Sequence, residues 1–236
     1  MNELYELTLE SQDVQLLVTE GVISGSKKLI DTAITKLKEL LKRIVNFIKD
    51  KIQAGSKAIK ALLSKIKGRP REINTENSEL KVLNISAATR IVQSMIDMYK
   101  EVNKIVGSIM STDGDNTITF NAYKDAIDHC EDIYNKYHDD LMITYKNPSD
   151  LDVLKLGSLE DTISDTSRAV LTTIDRVTMI IKATKRIEED GDIKKILHNL
   201  INIENNLMDM TRRLNLVQSR IEASLRVALK LQYGNK

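Results

Sequence analysis

Two short runs carry the residue types that bind metals or move protons. His129, Cys130 and Glu131 are consecutive, and His138, Asp139 and Asp140 form a second run. Imidazole, thiolate and carboxylate groups are the usual ligands of transition metals, and His beside an acid can pass a proton. Adjacent residues of a helix point to different faces, however, so three in a row do not converge on one ion. With only 3 His in 236 residues, a solvated charged face is the expected reading. Cys130, the single cysteine, is expected to pack as a small apolar group. Asp113-Gly114-Asp115-Asn116-Thr117 invites a calcium reading, but such a loop needs Gly at its sixth position and Glu at its twelfth. Ile118 and Lys124 stand there. Gly21-Val22-Ile23-Ser24-Gly25 does not follow the phosphate-loop pattern. No catalytic residue, metal or cofactor is expected.

The other candidate chemistry is cationic. The chain holds 35 Lys+Arg and 34 Asp+Glu, and this balance hides blocks of opposite sign. Residues 1–26 contain five acids and no base; 27–71 contain 14 bases and three acids; 72–165 contain eight bases and 18 acids; 166–236 contain 13 bases and eight acids. A block as basic as 27–71 attracts phosphate whatever the base sequence. Lys36, Lys42, Arg43, Lys49, Lys67, Arg69 and Arg71 are the candidate nucleic-acid contacts. Lys67-Gly68-Arg69-Pro70-Arg71 resembles the core of an AT-hook, whose arginines lie in narrow minor grooves.

The elements that must position these residues are helices. Aromatics are 4% of the chain, with 9 Gly and 2 Pro, which argues against a sandwich or barrel, while 42% hydrophobic content excludes disorder. Ile30, Ala33, Ile34, Leu37, Leu40, Leu41, Ile44, Ile48 and Ile52 make one face of a helix over 27–53, with lysines opposite. The pattern resumes at Ile59, Leu62, Leu63 and Ile66 and stops at Gly68 and Pro70, before a polar linker over 69–78. Further helices are expected over 79–110, 121–144, 158–188 and 193–232, with a short extended piece at Ile118–Phe120. Counting Ile193 as a heptad a position, eleven of the twelve a and d residues to Leu231 are apolar. That seam closes either inside the chain or against a second copy, making a homo-oligomer through 193–232. The expected fold is all-α: an elongated helical bundle with a long, coiled-coil-like C-terminal helix.

No stretch approaches the length of a membrane span, and the acidic N-terminus lacks the basic start of a secretory signal, so a cytoplasmic chain is expected. The acidic segment 1–20 ends Val18-Thr19-Glu20 before Gly21, and the basic helix follows. This leader resembles that of internal head proteins of large tailed bacteriophages. In that family a protease cuts after Glu in an apolar-x-Glu context followed by a small residue. The family prefers Leu or Ile where Val18 stands; Thr8-Leu9-Glu10-Ser11 is a second candidate. The resemblance implies processing between Glu20 and Gly21, a place inside the virion, and DNA and other virion proteins as partners. The chain then divides into an acidic leader, 1–20, a basic amphipathic segment, 21–71, and a helical bundle, 72–236. An alternative is a membrane-surface protein that lays the Ile/Leu face of 27–66 on an anionic bilayer. Another is a helical adaptor or inhibitor that uses the acidic block on a protein partner.

Overall fold

A computed structural model describes residues 2–23, 27–67, 80–110, 117–146, 148–184 and 190–233. The fold is all-α. The helices are α1 (Asn2–Ile23), α2 (Lys27–Phe47), α3 (Gln53–Leu63), α4 (Ile85–Met110), α5 (Thr117–His138), α6 (Val153–Thr184) and α7 (Asp190–Leu231). A π turn, Ile48–Ile52, joins α2 to α3. Strands β1 (Lys81–Leu83) and β2 (Met142–Thr144) make one antiparallel pair, with Val82 opposite Ile143.

Three expectations are corrected. Residues 81–83 are a strand, because Asn84 starts α4: its side chain accepts the backbone amide of Ala87 at 3.2 Å, leaving the preceding residues outside the helix. Residues 142–144 leave α5 for β2, held by the amides of Tyr145 on Leu80 (2.7 Å) and Asn84 on Leu141 (2.9 Å). Ile118–Phe120 belongs to α5, where helix continuation overrides β-branched and aromatic preference. The expected linker 69–78 lies outside the described residues; of the turn-forming run 111–117, residues 111–116 also lie outside them and Thr117 opens α5.

The chain forms two compact units that do not follow the charge blocks. The first comprises residues 1–48, 99–124 and 169–212. Its core is built from the inner faces of α1 and α2 (Val14, Val18, Ile34, Leu37, Leu41, Ile44) with Val102, Ile105, Val170, Ile174, Leu200 and Leu207. Tyr99 donates to the carbonyl of Ala169 at 3.0 Å, and Arg176 donates to Asn103 at 2.7 Å. The Tyr123 hydroxyl accepts from Asn206, and burial pushes it up to about 12.

The second unit comprises residues 49–98, 125–168 and 213–236. Val82, Tyr145, Leu151 and Ala228 form a buried cluster beneath the strand pair. The amide of Leu83 donates to Ser224 on α7 at 2.8 Å, which accounts for the one polar residue in the heptad seam. Asp152 caps α6 by accepting the amide of Lys155 at 3.0 Å; that bond, first among several, holds its carboxyl below the usual range.

The middle of the α7 seam is buried within the chain, while Ile196 and Leu231 are half-buried. Leu200, Ile203, Leu207 and Met210 are buried in the first unit; Leu214, Val217, Ile221, Ser224 and Ala228 are buried in the second.

Candidate polyanion-binding surface

In the first unit α2 separates two chemistries. Its apolar residues, from Ile30 through Phe47, are buried. Its other face carries Lys28, Asp31, Thr32, Lys36, Glu39, Lys42 and Asn46, all exposed, with Glu39 between Lys36 and Lys42. The apolar pairs recur at three and four residues, so the lysines fall on the opposite side of a helix advancing about 100° per residue. Lys36 and Lys42 therefore share one solvent face, about 9 Å apart along the axis. Among the described residues neither makes an ion pair. Arg43 is half-buried at the edge of this face and donates to Glu10 of α1. Asp31 and Glu39 are the acids of α2, against six bases in residues 27–48.

α1 packs antiparallel on α2. Gly21 meets Leu29 and Ile30, and Glu10 meets Arg43 near the other end. A Cβ at Gly21 would lie 3.0 Å from Cβ of Leu29 and 3.2 Å from the amide nitrogen of Ile30, so a side chain there would push the two backbones a few tenths of an ångström apart. Glu20 is exposed, but the Glu20–Gly21 bond lies inside α1 and Gly21 is buried. Proteases favour exposed loop tips, so cutting at this bond requires the end of α1 to unwind.

The second unit holds the rest of the basic stretch. Lys49 and Lys51 are exposed on the π turn, Lys57 and Lys60 on α3, and Lys65 and Lys67 after it; Asp50 is the one acid in 49–67. Arg69 and Arg71 lie outside the described residues. In a straight helix, Ile44, Ile48, Ile52 and Ser56, spaced by four, would drift about 40° at each step. The π turn takes up an extra residue in the hydrogen-bonded ring and keeps Ile48, Ile52, Ser56 and Ile59 facing inward. The Ile/Leu face is therefore spent on the core: Ile44 is 1% exposed and Ile48 0%. It is not presented to a bilayer, which removes the basis of the membrane alternative. No described helix is long and apolar enough to cross a membrane.

Sequence reasoning missed the buried polar groups. The heptad count of α7 also defines e positions: Leu197, Glu204, Thr211, Gln218 and Leu225, all buried. Polar residues recurring on a wide apolar face were the available signal. In the second unit Gln218 donates to the carbonyl of Ile52 (3.0 Å), to Ser56 (3.1 Å) and to Glu160 (3.0 Å), and Ser56 also donates to Glu160. Burial raises Glu160, and the bonds from Ser56 and Gln218 oppose the rise. In the first unit Ser11 of α1 donates to Glu204 at 2.8 Å, while Oε1 of Glu204 is buried without a partner among the described residues. Burial pushes Glu204 up to about 7.

The runs that suggested metal chemistry do not converge. Cys130 is buried, whereas His129 and Glu131 are exposed. Arg213 explains the site: it donates to Glu131 at 3.1 Å and lies 4.2 Å from the Tyr134 ring centre, tying α7 to α5 in the second unit. No group of three or more metal-ligating residues occurs among the described residues. Residues 113–116 of the suggested calcium loop lie outside them. A cleft of about 540 Å³ in the second unit is lined by Asn84, Arg90, Asp152 and Lys155. Those groups are occupied: Asn84 and Asp152 cap helices, Lys155 pairs with Asp152, and Arg90 lies over Tyr137. The lysine face of α2 is the remaining candidate. Comparison of the chain with protein families, curated proteins and solved structures finds no match.

Proposed function

We propose that this chain is a non-enzymatic protein that binds duplex DNA electrostatically, through the lysine face of α2. The observation carrying this reading is an exposed cationic face directly opposite a fully buried apolar one. A lysine face open to solvent can neutralise backbone phosphates and release their counterions, a gain independent of base sequence. The whole chain is close to neutral, so the attraction is local to this face. The placement inside a virion, among other virion proteins, rests on the likeness of the acidic leader and basic segment to phage internal head proteins.

The test is a mobility shift with mixed-sequence duplex. Binding is expected, and Gln at positions 36, 42, 43, 49, 69 and 71 together should abolish it. A shift that survives those substitutions would exclude the basic stretch as the DNA site. The virion part is checked by the intact mass of the chain from purified particles: a start at Gly21 supports it, and a retained Asn2 rules out the processing.

A further inference from the structure

α1 bears acids without bases and lies against the basic helix. Glu10, Asp13 and Glu20 are exposed on it, and it contains no Lys or Arg. Packed helices have axes about 8–10 Å apart, close to the Debye length of about 8 Å at physiological salt and within the longer one at lower salt. The carboxylates of α1 therefore lower the positive potential of α2, and Glu10 pairs directly with Arg43. α1 is attached through Val14 and Val18, through the close approach at Gly21, and through Ser11 on Glu204. The last of these is a weak hold for a buried carboxyl, since its second oxygen has no partner among the described residues.

We propose that α1 is an autoinhibitory cover: docked beside α2 it offsets the charge that DNA would meet, and undocking it raises affinity for DNA. This rests on the DNA reading above. It adds a regulator that the composition alone does not reveal, because the acidic segment could equally have packed away from the lysines.

The experiment uses the full chain and a duplex of about 20 base pairs at about 50 mM salt. One variant, Glu10→Gln/Asp13→Asn/Glu20→Gln, neutralises α1 at exposed positions and should leave the fold intact. Its affinity should rise about fivefold, with hydrogen-exchange protection of α1 unchanged. A second, Val14→Asp/Val18→Asp, should strip protection from α1 and tighten binding at least as much. If the wild-type chain binds DNA with steep salt dependence but the neutralised variant binds no tighter, the cover is overturned and the DNA reading stands. If neither the wild-type chain nor the neutralised variant binds, both fall.

Discussion

Two buried carboxyls, one in each unit, are treated differently. Glu160 is enclosed by donors: Ser56 and Gln218 reach it from α3 and α7. Glu204 receives one hydrogen bond, from Ser11, and its other oxygen is unpaired among the described residues. A saturated buried network fixes the packing of its elements, whereas a half-satisfied one is costly and easily given up. The second unit is thus locked at its polar centre. The first unit is held there by a helix that the same carboxyl would release at modest cost.

The largest effect is expected in the saturated network. Gln218→Ala removes the shared donor and leaves a cavity beside Glu160; the cost is about 4 kcal/mol in denaturant unfolding. A loss below about 1 kcal/mol would mean that the network is not a structural lock.

Next comes pH. The unfolded chain loses the Glu204 proton near 4.5, whereas the folded chain keeps it up to about 7. The folded state therefore binds the extra proton between those values. Stability from this group is complete below about 4.5, falls as pH rises toward 7, and is level above that. The drop is about 3 kcal/mol, and Glu204→Gln should abolish it. Melts at pH 5 and pH 8 that are equally displaced in wild type and variant would show that Glu204 is not the titrating group.

A smaller change is expected at the single bond of the first unit. Ser11→Ala should cost about 2 kcal/mol, read chiefly as lost exchange protection in α1. Equal loss in α4 and α6 would show that α1 is no weaker than the rest.

The smallest effect concerns the close approach of α3 to α7. A Cβ at Gly55 would lie 2.5 Å from Oε1 of Gln218. Gly55→Ala gains helix propensity but displaces that amide, for a net loss of about 1 kcal/mol. A stabilised variant would show that Gln218 moves freely.

The helices and the buried faces of α2 and α7 were legible because hydrophobic period reports burial directly. The strand pair was not, since each strand has three residues and its partner lies some 60 positions away, beyond any local pattern. The lysine positions were legible as charge. Their pairing was not: Arg43 meets Glu10 from a helix 33 residues away in sequence, which no local pattern reports. Glu204 and Gln218 were visible as polar residues at a regular spacing, but a and d positions alone do not mark them as buried.

The most direct measurement is the equilibrium affinity of the full chain for a duplex, followed as salt is raised from about 50 to about 200 mM at fixed pH. Log affinity should fall linearly with log salt, and Lys36→Gln/Lys42→Gln should reduce the slope by about two. A slope near zero, or a steep one untouched by that double substitution, contradicts an open lysine face on α2.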